Sequence, residues 1–202
     1  MIGYEDIFLR HGETTGDIEN RYGGDYDDSL SEKGREQSEQ VALKLKSEGI
    51  EKIFTSSLSR ARETGAAIAA QTGAPTEPRS DIRERNQYGI LTGMKKEDAK
   101  RSHQTLVEAL KDRLNTIEGA ESYEDFSDRV IAGFGRILGS GYESVAVVTH
   151  GGPLRVLFRD YLKWGELKEI GDCSFVGFEV CDSNFSYLRS EGLVFEFTPK
   201  NS

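Results

Sequence analysis

The sequence has little of what would place the chain in a membrane or outside the cell. Its 202 residues contain no apolar run approaching the ~18 to 20 residues that a membrane-spanning helix requires. A strand-like stretch at Ile7 to Leu9 follows the first methionine almost at once, which leaves no room for a signal peptide. We therefore expect a cytoplasmic protein with no membrane partner.

Cysteine is also scarce, with only Cys173 and Cys181 present. Both lie in one predicted strand, and at ~3.3 Å per residue their Cα atoms would be roughly 26 Å apart. A disulfide joins Cα atoms only ~4.4 to 6.8 Å apart. The two residues are therefore predicted to be free thiols, which is consistent with a reducing compartment.

Positive charge is in deficit, since 26 Lys and Arg face 35 Asp and Glu, for a formal net charge of −9. Nucleic acids and anionic lipids attract proteins with a net or clustered positive field, so neither is an expected partner. The three histidines show no His-x-Glu, Glu-x-x-His or Cys-x-x-Cys spacing, which argues against a metal site. Any anionic substrate must be bound locally, and the oligomeric state stays open between monomer and homodimer.

Strands and helices alternate along the chain. Strands are predicted at Tyr4–Arg10, Ile50–Ser56 and Ser144–Thr149, and helices at Ser31–Gly49, Ser59–Thr72, from Ser122 and at Leu154–Trp164. Three further strands are predicted at Cys173–Val180, Phe185–Arg189 and Leu193–Phe197, with a turn at Asp182–Asn184. This order predicts an α/β three-layer sandwich, with a mostly parallel central sheet flanked by helices. We expect one domain over residues 1–202, with a helical cap-like insertion at about 93–120.

Two histidines, His11 and His150, each follow a predicted strand, where ligands bind in open α/β sheets. In Arg10-His11-Gly12, a neutral imidazole can attack phosphorus while the arginine neutralises phosphoryl oxygens. His11 on its own could equally be a loop-stabilising histidine. His150 opens a helix, and a proton on it would oppose protonation of His11.

An anion clamp and an acid complete this set. Arg60 begins the second helix, where free N–H groups favour an anion. Glu84 could protonate an alkoxide leaving group, with a salt bridge to Arg83 or Arg85 as the alternative. The acidic residues Asp25, Asp27 and Asp28 are predicted to lie in a solvated turn.

Taken in order, Arg10-His11-Gly12-Glu13, Ser57-x-x-Arg60-Ala61, Glu84 and His150-Gly151 resemble the histidine phosphatase superfamily, also called phosphoglycerate mutase-like. The resemblance spans nearly the whole chain and implies a phosphoglycerate mutase-like fold and a metal-independent enzyme. It implies that His11 is phosphorylated, that Arg10, Arg60 and His150 bind the phosphate, and that Glu84 donates a proton.

Within that family, the stretches Glu19–Gly24 and Leu30–Gly34 look like the phosphoglycerate mutases of glycolysis. Asp17 stands where mutases usually have asparagine. Gly152 also stands where mutases typically have asparagine, and the sequence His150-Gly151-Gly152-Pro153 is more similar to that of phosphatases. The favoured reading is interconversion of 3- and 2-phosphoglycerate primed by 2,3-bisphosphoglycerate; the alternative is a phosphatase for small phosphomonoesters. The residues expected to bind the small phosphorylated substrate are Arg21, Gly23, Gly24, Arg85, Tyr88, Lys96 and Gly151.

Overall fold

One six-stranded sheet organises the protein, as seen in a computed structural model that describes residues 5–181 and 184–199. The strand order is β3-β2-β4-β1-β5-β6. Strands β1 to β4 run parallel, β5 is antiparallel to β1, and β6 is antiparallel to β5. The strands are β1 (Asp6–Arg10), β2 (Lys52–Ser56), β3 (Thr76–Arg79), β4 (Val145–Thr149), β5 (Leu167–Cys181) and β6 (Asn184–Phe195).

Helices cover both faces of the sheet. They are α1 (Thr15–Ile18), α2 (Glu32–Leu45), α3 (Ser59–Thr72), α4 (Lys96–Ser102), α5 (Gln104–Ala109), α6 (Tyr123–Leu138) and α7 (Gly151–Val156), the last continuing as a π-helical turn over Leu157–Tyr161. Short 3-10 turns occupy Ser80–Ile82 and Gly89–Leu91. In the ranges 5–181 and 184–199, no helix is both long and apolar enough to cross a bilayer.

Alternation along β1 explains the two packed layers. Ile7 and Leu9 face α2 and α3, whereas Phe8 packs with Phe134 of α6 and Phe178 of β5 on the opposite face. All five side chains are fully buried, and neighbouring residues of a strand point to opposite faces. The predicted three-layer α/β sandwich with a mostly parallel sheet is confirmed.

The predicted elements differ from the structure mainly at the sheet edges. β3 was not predicted, because Thr76–Arg79 is half exposed and contains Pro78, a residue that sheets tolerate at an edge. The predicted strands Phe185–Arg189 and Leu193–Phe197 fall in one strand, β6, which ends at Phe195, and the predicted strand Cys173–Val180 is part of the longer β5; register shifts interrupt the pairing of β5 with β6. Asp182 and Ser183 of the predicted turn lie outside the described residues.

The residues between the 3-10 turn at 89–91 and α6 build a small separate core. Leu91, Ala99 and Ile117 are buried there, with Tyr22 and Tyr88 packed against them. Tyr22 also exchanges backbone hydrogen bonds with this segment, donating to the Met94 carbonyl (2.9 Å) and accepting from the Gly93 amide (2.8 Å). The segment predicted as an insertion at about 93–120 is thus attached to the loop that follows α1.

The loop after β1 contacts the beginning of α2 at two glycines. A Cβ on Gly34 would lie 2.0 Å from the Glu13 carbonyl oxygen, and a Cβ on Gly12 would lie 2.5 Å from the Gly34 carbonyl oxygen. The Ser31 hydroxyl caps α2 by accepting from the Gly34 amide (2.9 Å) and donates to the Glu13 carboxylate (2.8 Å). Backbone approach therefore fixes the loop that carries His11.

We predict that Gly34→Ala destabilises the protein by about 1–3 kcal/mol, because the added methyl group overlaps backbone that has little room to move. Gly135→Ala is the matched control: Gly135 lies inside α6 with nothing within 4 Å of the added Cβ, so it should gain roughly 0.5–1 kcal/mol. Urea denaturation measures both. Equal stabilisation by the two substitutions would contradict the proposed glycine contact.

Candidate active site

His11 and His150 meet at the carboxyl ends of the adjacent parallel strands β1 and β4. Their ring centroids are 4.9 Å apart, and the His11 amide donates to the Thr149 carbonyl (3.1 Å). Both are buried, His11 at 5% exposure and His150 at 0%. The parallel pairing of β1 with β4 thus brings the two strand-end histidines into contact.

The hydrogen bonds of His11 define its tautomer. Nδ1 lies 2.7 Å from the Gly12 carbonyl oxygen, and the Arg60 Nε donates to Nε2 at 3.1 Å. Because a carbonyl only accepts and a guanidinium only donates, Nδ1 carries the proton and Nε2 presents its lone pair. Burial, followed by the charges of Arg60 and Arg10, holds the pKa of His11 well below its ordinary value. His11 is therefore a neutral imidazole with the lone pair that a nucleophile requires.

Arg60 is held by acceptors on the loop that precedes α2. It donates to the Asp28 carboxylate (2.8 Å) and to the carbonyls of Tyr26 (2.6 Å) and Gly24 (2.7 Å). The prediction that Asp28 belongs to a solvated turn is wrong, since its side chain is 5% exposed and also accepts from the Gly16 amide (3.1 Å). Buried charges are usually paired, so an acidic loop preceding the helix of Arg60 was the available signal for Asp28.

His150 has one ring nitrogen paired and one free. Nε2 lies 2.7 Å from the Ser56 hydroxyl, while the buried Nδ1 has no hydrogen-bond partner among the described residues. Burial, then the charges of Arg60 and His11, lower its pKa well below the ordinary value. A proton on His150, considered from the sequence as an aid to His11, does not fit this lowered pKa. The Ser56 contact engages Nε2, so a ring proton on Nδ1 would be free to donate to a bound oxyanion.

Arg10 leaves β1 beside His11 and stays half exposed. It donates to the Ile170 carbonyl (2.8 Å) and pairs with Asp172 at 3.3 Å, both in β5. This arginine is therefore aimed by the antiparallel strand next to its own. Its charge adds to that of Arg60 in lowering the pKa of His11.

Glu84 is held by backbone donors, not by a charged partner. Its two carboxyl oxygens accept from the amides of Arg85 and Gly152, each at 2.9 Å. A Cβ at Gly152 would lie 2.0 Å from Oε1 of Glu84, so only glycine admits the carboxyl group there. The alternative prediction, a salt bridge from Glu84 to Arg83 or Arg85, is not seen among the ion pairs of the described chain.

All of these groups except His150, which is fully buried, contribute to the wall of a cavity of about 200 Å³, which we call the phosphate cavity. Arg10, His11, Arg60 and Glu84 line it. Six of the seven residues expected to bind substrate also line it: Arg21, Gly23, Gly24, Tyr88, Lys96 and Gly151. Thr14 and Gln87 contribute to its wall as well, and the sequence reasoning did not select them.

Arg85, the seventh, does not line this cavity. It is 4% exposed and donates to the backbone carbonyls of Arg113 (2.6 Å), Glu121 (3.0 Å) and Asn115 (3.5 Å). Its guanidinium thus ties residues 113–121 to the loop that carries Glu84. The partners lie far along the chain, so no local pattern signals them.

Asp17 lines the phosphate cavity, but its carboxylate is engaged elsewhere. Oδ2 accepts from the Thr14 amide (3.1 Å) and hydroxyl (2.9 Å), and the Thr14 hydroxyl accepts from the Asp17 amide. This is the capping box of α1. Among residues 5–181 and 184–199, no group of three or more His, Cys, Asp or Glu side chains could hold a metal ion.

Comparison with known proteins identifies the family. Residues 7–189 match the model of the histidine phosphatase superfamily (branch 1). Phosphoglycerate mutase-like protein 4 of Arabidopsis thaliana is 33% identical over 76% of this chain and 69% of its own length. A metal-independent phosphoserine phosphatase of the same plant is 31% identical over 76% and 67%, respectively.

Among solved structures, a phosphoglycerate mutase from Bacillus anthracis superposes with a TM-score of 0.74 at 25% identity, covering 94% of both chains. Mutases and phosphatases therefore both occur among proteins similar to this one. The family match extends over most of the chain and includes every residue of the site described above. The chain belongs to branch 1 of the histidine phosphatase superfamily.

Proposed function

We propose that this protein hydrolyses small phosphomonoesters through a phosphohistidine formed on His11. The observation that carries the proposal is the lone pair of Nε2, which belongs to a neutral, buried His11 facing a cavity edged by Arg10 and Arg60. The unpaired Nδ1 of His150 supplies a further donor for a phosphoryl oxygen. In this proposal, a bound phosphoryl group accepts hydrogen bonds from Arg10, Arg60 and Nδ1 of His150.

In the first step, Nε2 of His11 attacks phosphorus and the bond from phosphorus to the leaving-group oxygen breaks. Glu84 gives its proton to that oxygen, which departs as an alcohol. The Arg60 Nε–H, released from Nε2, donates to a phosphoryl oxygen, and Arg10 neutralises the developing charge. Nδ1 keeps its proton, donated to the Gly12 carbonyl, throughout both steps, so the ring does not need to rotate.

In the second step, water attacks the phosphohistidine and gives a proton to Glu84. The bond from phosphorus to Nε2 breaks, inorganic phosphate leaves, and both His11 and Glu84 return to their starting states. Microscopic reversibility makes one carboxyl group acid in the first step and base in the second. No further proton carrier is required.

Two features support hydrolysis over mutase activity. The mutase reading assigns Arg85 to a substrate carboxylate, yet its three nitrogens donate to backbone carbonyls. Mutases typically have asparagine at the position of Gly152, where Glu84 here occupies the space of a side chain. Mutase activity remains the second candidate because Arg21, Tyr88 and Lys96 share the phosphate cavity.

We predict that the enzyme releases inorganic phosphate from phosphomonoesters such as phosphoserine and 3-phosphoglycerate without isomerising the latter. The assay follows phosphate release and interconversion of 3- and 2-phosphoglycerate, with and without catalytic 2,3-bisphosphoglycerate. Isomerisation that depends on the bisphosphate and exceeds phosphate release would replace this proposal with the mutase.

We predict a phosphoryl adduct on His11 after rapid quenching with labelled substrate, stable to base and labile to acid. His11→Ala should lose the label and at least 10³-fold of the activity, on the order of what loss of a nucleophile costs. The control is His103→Ala, since His103 lies outside the phosphate cavity. Labelling that persists in His11→Ala would refute the assignment.

We predict that Glu84→Gln slows hydrolysis of alkyl phosphates about 10²- to 10⁴-fold, because their alkoxides need protonation, but slows nitrophenyl phosphate by less than about 10-fold. Glu36→Gln, an exposed change on α2, serves as the control and should affect neither. Kinetics with both substrate classes give the ratio. Equal losses with both classes would remove Glu84 as the acid.

A further inference from the structure

A second cavity of about 460 Å³ adjoins the phosphate cavity. The two share Arg10, Glu84, Gln87 and Gly151 in their walls. From that common boundary the second cavity extends between α6, α7 and the beginning of β5. It is larger than the phosphate cavity, and we call it the arginine cavity. Apart from the shared Arg10 and Glu84, its lining residues have no role in the chemistry described above.

Arginine dominates its wall, with five arginines and two glutamates among the lining residues. The carboxylate of Glu166 pairs with both Arg155 (3.1 Å) and Arg159, and Arg159 also pairs with Asp160. Arg85 and Arg113 have no carboxylate partner in the part of the chain that the structure describes. The wall therefore keeps an excess of positive charge, although the protein as a whole is acidic.

Three of these arginines lie around a single aromatic ring, that of Tyr123. The guanidinium carbons of Arg85, Arg113 and Arg159 lie 5.6, 5.7 and 5.1 Å from the centre of the Tyr123 ring. Each distance is within the ~6 Å range of a cation–π contact. Like charges gathered around one ring repel each other, and a bound anion would relieve that repulsion.

Three of the arginines in this wall retain unused donors, and one of them, Arg10, is already assigned to the scissile phosphate. Arg155 donates through Nη1 alone, to Glu166 and to the Leu167 carbonyl. The Arg113 guanidinium makes no hydrogen bond among the described residues, and its side chain is exposed. By contrast, Arg159 uses all three nitrogens and Arg85 donates only to carbonyls. Arg113 and Arg155 are therefore the groups able to donate to an incoming anion.

We propose that the arginine cavity binds a second anionic group, a carboxylate or a phosphate, at the far end of the substrate's leaving group. The inference rests on the proposed function, because it places the scissile phosphate in the phosphate cavity. Arg113 and Arg155 donate to the second anion, while Arg85 contributes charge without a hydrogen bond. The substrate is then an extended phosphomonoester with an anion at each end.

The test is direct binding by calorimetry, which does not depend on turnover. The probes are non-hydrolysable alkyl phosphonates with two to eight methylene groups that end in a carboxylate, a second phosphonate or, as the neutral reference, a methyl ester. We expect wild-type protein to bind one anionic length at least 10-fold more tightly than its methyl ester. This preference should shrink at high salt, since exposed charges are screened.

Variants locate the effect. Arg113→Gln and Arg155→Gln should each reduce the preference to less than about 3-fold while leaving methyl ester binding unchanged. Arg101→Gln is the matched control, because Arg101 is an exposed arginine on α4 that lines neither cavity, and it should keep the full preference. The carboxylate and phosphonate arms identify which anion the cavity takes.

Three outcomes would overturn the inference: no difference between anion and methyl ester at any length, a preference that survives both variants, or no binding by any probe. Phosphate release from nitrophenyl phosphate is measured in parallel. A preference without hydrolysis would refute the proposed function alone. Hydrolysis without a preference would refute the arginine cavity alone.

Discussion

The buried ion pair of Arg60 and Asp28 is the contact on which the site depends. Arg60 begins α3, Asp28 lies in the loop before α2, and their 2.8 Å contact holds the guanidinium against Nε2 of His11. The second oxygen of Asp28 accepts from Gly16, so α1 is drawn into the same network. Removing one partner of such a pair costs about 3–5 kcal/mol, since it leaves a buried charge alone. The pair thus orients the nucleophile and the loop around it together.

The electrostatic consequence of this arrangement is that two uncharged imidazoles, His11 and His150, lie beside fixed cations. Burial and the neighbouring arginines lower the pKa values of both His11 and His150. A second proton is excluded from each ring, while Arg10 and Arg60 supply the positive charge that a phosphate requires. In the proposed mechanism, His11 therefore stays uncharged as the nucleophile while the two arginines bind the phosphate.

The pattern of neighbouring residues in the sequence predicts those elements of this protein that neighbouring residues determine. Three consecutive apolar residues in β1 and four in β4 indicated the sheet, and the two strand ends indicated the histidines. Asp28 was missed because an acidic loop looks solvated until its arginine is located. Arg85 was assigned to substrate by resemblance, whereas its carbonyl partners at 113–121 come from a segment that folds back over it. Tertiary contacts of this kind leave no periodic signal.

The position of Glu84 links the chemistry to the arginine cavity. Its carboxyl group stands at the boundary of both cavities, in the space left by the missing side chain of Gly152. The proton donor must contact the leaving-group oxygen, which is bonded to the phosphorus facing His11. The remainder of the leaving group then continues past Glu84, away from the phosphate cavity. In the proposed mechanism, the acid that protonates the leaving group therefore also directs it toward the arginines.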